Sequence, residues 1–364
     1  MKKILFAAVA AMAITGCSQN EEIEKAAQPV EIGFNTAVSK TTRATTLVNA
    51  DFTKFTTYAY STTGAFADAT AVNALIPGAD FELKESTWSS GGSVFYWPAT
   101  DQVSFFAFSP NTTAQLSWGA ASANKAPTLT YTVKDAVKDQ EDLVVAEAMN
   151  KQKAISGTTE AVALNFKHAL TKIGFKIKGE GSGITYTLNK VVIKAKNKGV
   201  YTYGATSTTE TTLGTWAIPD DVTTTTSYTI EPATALSIVG ADGGGTANET
   251  LVGADYTAML IPQALTDVTF EIYYKAEAGG AMLLDKTTTP EEITFTEGNW
   301  TAGQSIAYIL TLKGAEKMAI TGSVADVLLS NTDLREKPLK FFSIFTCIAI
   351  RSTFYSSCPA LRQY

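Results

Sequence analysis

From Val30 onward, apolar and polar positions alternate with a period of two. Val30, Ile32 and Phe34 alternate with polar or small residues, as do Val103, Phe105 and Ala107. Ile173, Phe175 and Ile177 alternate with Lys172, Lys176 and Lys178, and Val191, Ile193 and Ala195 face away from Lys194 and Lys196. Val268, Phe270, Ile272 and Tyr274 form another such run, and Ile306, Tyr308, Leu310 and Leu312 the last. Successive side chains of a strand point to opposite faces, so this period predicts half-buried β-strands. The runs are rich in β-branched and aromatic residues, which pleated surfaces favour. Turn residues separate them at Pro77-Gly78, Gly91-Gly92, Pro110-Asn111, Gly179–Gly183 and Gly240–Gly245. After the first seventeen residues no long amphipathic helix is legible. Many short strands with this punctuation predict an all-β chain built of β-sandwiches. Lys151–Glu160 is small and polar and places a domain boundary near 155–162, so that residues 44–160 and 161–326 form one sandwich each. Thr206–Thr226, rich in Thr around Trp216, reads as a surface loop or hairpin.

The N-terminus has a different pattern. Lys2 and Lys3 precede an apolar stretch from Ile4 to Ile14, which is shorter than a bilayer span. It ends in Ile14-Thr15-Gly16-Cys17, a lipobox: an aliphatic residue, two small residues that let a peptidase reach the backbone, and a thiol that accepts a lipid. Residues 1–16 therefore read as a lipoprotein signal peptide, with Cys17 as the lipidated N-terminus of the mature chain. Acyl chains hold such a protein at a membrane with roughly 0.8 kcal/mol per buried CH₂. Ser18–Gln28 is polar and charged and reads as a tether. Export argues against enzymes that depend on cytosolic cofactors.

Composition narrows the chemistry further. The 364 residues are 45% apolar, enough for real cores, and the net charge of −6 offers no basic footprint for nucleic acid. His168 is the only imidazole, so zinc sites built on paired histidines are excluded. It reads as a structural polar residue near the domain junction. The three cysteines are Cys17, Cys347 and Cys358, which leaves the body without a disulfide framework or a CxxC site. Gly179-Glu-Gly-Ser-Gly183 follows an amphipathic strand and precedes no helical pattern, so it reads as a turn rather than a nucleotide-binding loop. Asp139, Glu141 and Asp142 cluster without EF-hand spacing. There is no G-x-S-x-G elbow. No enzyme and no cofactor is expected. Trp88, Phe95, Tyr96 and Trp97 read as core packing at a strand entry, with a carbohydrate platform as the alternative.

Several segments together resemble the fimbrillin family of Bacteroidetes, the type V pilins and their accessory subunits. They are Phe95-Tyr96-Trp97-Pro98, Val103–Pro110, Asp142-Leu-Val-Val-Ala146, Leu164–Phe175, Met259-Leu-Ile-Pro-Gln263 and Asn299–Leu312, which follow the lipobox in order. The resemblance covers roughly residues 1–326. It implies two tandem transthyretin-like β-sandwiches, export as a lipoprotein to the outer membrane, and polymerisation into surface fimbriae that support adhesion. In such a subunit a trypsin-like, Arg-specific protease cuts after an Arg near the N-terminus and removes the first strand. A donor strand from the next subunit then completes the sheet. Here Arg43 is the only Arg before Arg335, and Lys40-Thr-Thr-Arg43-Ala44 is small and polar, so the implied cut lies between Arg43 and Ala44. Residues 17–43 would then be tether and propeptide. The implied partners are other fimbrial subunits, whether copies of this chain or tip and anchor proteins.

The C-terminal region departs from the family. Met318–Asp326 looks like its final strand, but Val327 stands where the family usually has a Trp. Phe341–Ile350 is apolar without alternation, so residues 327–364 form an atypical tail: either a donor extension or the product of a frame change near Val327. Two classes of function remain open. One is a stalk or tip subunit assembled by strand exchange. The other is a surface lipoprotein that binds glycans without polymerising, or a fimbrial anchor that keeps its lipid.

Overall fold

The computed structural model describes residues 29–38, 52–111, 114–153, 161–204, 214–244, 249–251, 256–314 and 319–324. All lie in one compact unit that ends at Val327. Among the described residues there is no α-helix, only short 3-10 turns between strands. The all-β class implied by the alternation is therefore what the chain adopts.

The first sheet contains β1 (Phe34–Val38), β2 (Lys54–Thr62), β3 (Asn73–Lys84), β4 (Thr87–Ser89), β5 (Gln102–Ser109), β8 (Val144–Lys151) and β9 (Val162–His168). Its seven strands run in the order β1-β9-β8-β5-β2-β3-β4. A second sheet of four orders β13 (Thr215–Ala217), β12 (Lys198–Thr202), β7 (Thr128–Thr132) and β6 (Leu116–Gly119). The remaining strands are β10 (Thr171–Glu180), β11 (Ile184–Ala195), β14 (Thr226–Ile230), β15 (Leu236–Ala241), β16 (Glu249–Leu251), β17 (Ala258–Leu260), β18 (Thr269–Ala278), β19 (Ala281–Asp285), β20 (Glu291–Thr294), β21 (Ser305–Leu312) and β22 (Ala319–Val324), and they form a third sheet.

The third sheet folds back on itself as two layers. β10 with β16, β17 and β21, and β21 with β22, make one; β11 with β14, β15 and β18, and β18 with β19 and β20, make the other. The layers meet through Phe175, Phe270 and Tyr308, with Phe270 set edge-on to each of the other two rings at 5.2 and 5.0 Å. They join where β15 pairs with β10 at Gly179 and Gly240. A Cβ on Gly240 would lie 2.3 Å from the Gly181 carbonyl oxygen, and one on Gly179 would lie 2.6 Å from the Tyr186 ring, so side chains are excluded at this corner.

The first sheet is covered on both faces. On one, Phe55, Phe105, Leu164 and Phe166 build a core with Phe34 and Phe81. On the other, Tyr60, Phe106 and Phe108 join a second core that continues through the second sheet into the third. Phe106 meets Tyr203 edge-on at 5.4 Å, and Tyr58 stacks on Trp118 at 4.0 Å. The alternation at Val103, Phe105 and Ala107 predicts a half-buried β5. Seven of its eight residues are instead buried, Ser104 among them, because the strand is central and both of its faces are packed.

Of the boundary that the sequence places near 155–162, residues 155–160 lie outside the described residues. The first and second sheets draw strands from both sides of that segment. β9 pairs with β8 and β1, and β12 pairs with β7 from Lys198↔Thr132 to Thr202↔Thr128. Part of the Thr-rich stretch, residues 206–213, is likewise outside, and its remainder supplies β13 and the start of β14.

Candidate assembly site

β1 is an edge strand. Its one ladder among the described residues is a parallel pairing with β9, in register from Phe34↔Val162 to Val38↔Phe166. Alternation sends Phe34 and Val38 inward, and both are buried, while Asn35 and Ala37 face out. The Phe34 ring enters an aromatic pocket, 4.9 Å from Phe81 and 5.7 Å from both Phe55 and Phe105, in edge-to-face contacts. Phe52, just after the segment 39–51, returns the chain to the same core and lies 4.5 Å from Phe166.

Backbone hydrogen bonds hold the lead into β1. Trp97 N–H donates to the Val30 carbonyl (2.9 Å), Ile32 N–H donates to the Phe95 carbonyl (2.8 Å), and Val162 N–H donates to the Gly33 carbonyl (2.8 Å). The seat itself is apolar. At its outer rim Lys54 and Glu82 form a surface ion pair at 2.7 Å. That pairing raises the Lys54 pKa and lowers that of Glu82.

β22 is the other terminal strand of interest. It pairs antiparallel with β21, from Ile306↔Val324 to Thr311↔Ala319, and ends the third sheet on that side. β1 and β22, the first and last of the described strands, thus each occupy a sheet edge. Edge strands of this kind are the positions from which a strand can be exchanged without breaking the interior of a sheet.

Cys17, Arg43 and Ala44 lie outside the described residues, as does the tail 327–364. His168, read from sequence as a structural polar residue, ends β9 and is buried. Its Nδ1 lies 2.8 Å from Asp142 Oδ2, and both side chains are at most 5% exposed. Lys172 is also buried nearby; burial lowers its pKa and the Asp142 carboxylate opposes the shift. The acidic cluster of the sequence thereby separates, since Asp142 turns inward to His168 and Glu141 pairs with Lys134. The aromatic seat of Phe34 is not legible in the sequence, because Phe55, Phe81 and Phe105 meet only when the sheet rolls. Of the aromatic cluster, Trp88, Phe95 and Trp97 pack against the first core, whereas Tyr96 is 46% exposed.

The all-β fold agrees with what the comparisons give. The chain belongs to the fimbrillin-like family, whose model matches residues 42–326. It is 29% identical over 200 residues to the fimbrium subunit Fim1C of Phocaeicola vulgatus, a match that covers 48% of this chain. The chain spans about half (51%) of the length of that curated relative. It is also similar to the crystal structure of a fimbrial protein from Bacteroides vulgatus, with a TM-score of 0.55 and 18% identity, over 81% of this chain and 98% of that one. The latter likeness is one of fold.

Proposed function

We propose that this protein is a structural subunit of surface fimbriae, in the stalk or at the tip, without catalysis of its own. It is exported as a lipoprotein through Cys17, reaches the outer membrane, and is cut by an Arg-specific protease between Arg43 and Ala44. It then assembles by donor-strand exchange with other subunits. Residues 44–160 and 161–326 supply tandem transthyretin-like sandwiches in this reading, with β9 completing the first sheet and β12 pairing with β7 across the boundary.

The observation that carries the proposal is the position of β1: an edge strand, seated in an aromatic pocket, upstream of the one Arg in the first half of the chain. A cut at Arg43 frees the segment that contains β1. Its departure uncovers the β9 edge and the pocket lined by Phe55, Phe81 and Phe105. Such a groove exposes unpaired backbone groups beside apolar surface and templates a new strand. An incoming strand that buries residues like Phe34 and Val38 gains roughly 1.5–3 kcal/mol for each side chain fully covered. β22 is the donor in this scheme, since it is held by one ladder.

The test is an Arg43→Ala variant in cells that carry every other fimbrial component. The expected product is lipidated, membrane-bound and unpolymerised. Detergent-resistant ladders containing the variant would overturn the mechanism.

A further inference from the structure

Rolling of the first sheet brings its two edges, β1 and β4, towards each other without closing the seam. Beyond the Ile32–Phe95 hydrogen bond the seam opens into a cleft of about 640 Å³. Small-ligand sites commonly occupy roughly 300–1,000 Å³. One part of the lining is aromatic: Phe81, Trp88 and Phe95. Trp88 is braced from behind by the edge-on rings of Phe52 and Phe55 at 5.6 and 4.8 Å, so the surface is pre-organised. Glu31, Ser89 and Ser93 supply polar groups to the same cleft. The Glu31 carboxylate is exposed and has no hydrogen bond or ion pair among the described residues. Ser89 Oγ accepts a bond from Gly91 N–H, which leaves its own hydroxyl proton to donate.

We infer that this cleft binds a neutral sugar residue of a glycan. A sugar ring has an apolar C–H surface that suits aromatic rings and a rim of hydroxyls that suits a carboxylate and serines. A hydroxyl donating to Glu31 makes a charge-assisted bond, the strongest kind available here. The same carboxylate, on a chain of net charge −6, disfavours acidic sugars. An added peptide strand is a poorer occupant. β4 offers three residues of edge, and the turn at Gly91 and Gly92, with φ of +74° and +147°, ends it, so few ladder bonds could form.

Glu31, Ile32 and Gly33 line the cleft and precede Arg43. Sugar binding therefore belongs to the uncut chain and is lost when a cut carries β1 away. The site itself does not rest on the assembly reading.

The test uses the full-length Arg43→Ala chain, so that its result stands apart from whether the native chain is cut. The probes for saturation-transfer NMR are the methyl glycosides of galactose, mannose, fucose and N-acetylglucosamine, with N-acetylneuraminic acid as the acidic comparison. At least one neutral glycoside should receive saturation and the acidic sugar none. Glu31→Gln should weaken that binding about tenfold, the loss of one hydrogen bond to a charged group. Val94→Asp, at a rim residue that is 48% exposed, places a second carboxylate in the cleft without touching the core and should also weaken binding. Absence of saturation for all neutral glycosides overturns the proposal. So does binding that both variants leave unchanged, or a cleft that takes up a peptide of residues 319–326 and no sugar.

Discussion

The rings of Phe34 and Phe81 lie 4.9 Å apart at 75°, although Phe34 is on β1 and Phe81 is on β3, at nearly opposite ends of the strand order of the first sheet. Contact across that distance requires the sheet to roll around a shared core. The Phe34 ring of β1 fills that core from the sheet edge, and the same contact defines the pocket that any strand in the place of β1 would have to fill.

Phe34→Ala should therefore destabilise the uncut chain by about 3–5 kcal/mol, the usual loss for a buried aromatic truncated to Ala. Denaturant unfolding of the uncut chain measures it. If β1 is absent from assembled fimbriae, the same substitution leaves polymer stability unchanged. An equal loss in both would argue that β1 stays in place.

Asp142→Ala removes the acceptor that faces the His168 ring inside the protein. Leaving a buried hydrogen-bonding group without its partner typically costs about 1–3 kcal/mol, and more where the group is charged. A fall in thermal midpoint of several degrees is expected. An unchanged midpoint would mean that the pair contributes nothing.

Alkaline pH should unfold the protein earlier than a chain with exposed tyrosines. Burial, with Glu291 and Tyr186 adding to it, pushes the Tyr274 phenol from 10.0 up to about 12. Burial also raises Tyr131, Tyr201 and Tyr228. These folded-state values lie above those of the unfolded chain, so the unfolded state releases protons first. Stability is then fully present below pH 10.0 and declines as pH rises from there through about 12. Urea midpoints across that window should fall, and Tyr274→Phe should flatten part of the decline.

Gly240→Ala and Gly174→Ala make a matched pair. A Cβ at Gly240 meets three backbone oxygens at 2.3, 3.0 and 3.1 Å, whereas one at Gly174 meets nothing within 4 Å. The first should cost at least about 1–3 kcal/mol as the strand corner is forced apart. The second should be neutral or stabilising by about 0.4–1 kcal/mol, through the unfolded state. Thermal unfolding of the two variants separates these outcomes.

Cys17→Ala should abolish fatty-acid labelling of the precursor in metabolic labelling with a radioactive fatty acid. Retained label would place the lipid elsewhere in the chain.

What the sequence determined by itself is local. Alternation at Ile173–Ile177 and Val268–Tyr274 specified strands, because a period of two is a property of a single extended segment. The Gly179–Gly183 turn was legible too, and Gly181 and Gly183 take positive φ there. Family membership could be read from short segments in order. Tertiary structure alone decided which strands pair. Parallel pairing of β1 with β9 joins residues more than a hundred positions apart, and no local preference encodes it. Two-sided burial of β5 depends on layers supplied by distant strands. The Asp142–His168 pair bridges 26 positions. Partner choice in a sheet is a non-local packing decision, and it is what brought Phe34 to Phe81 and opened the cleft beside Glu31.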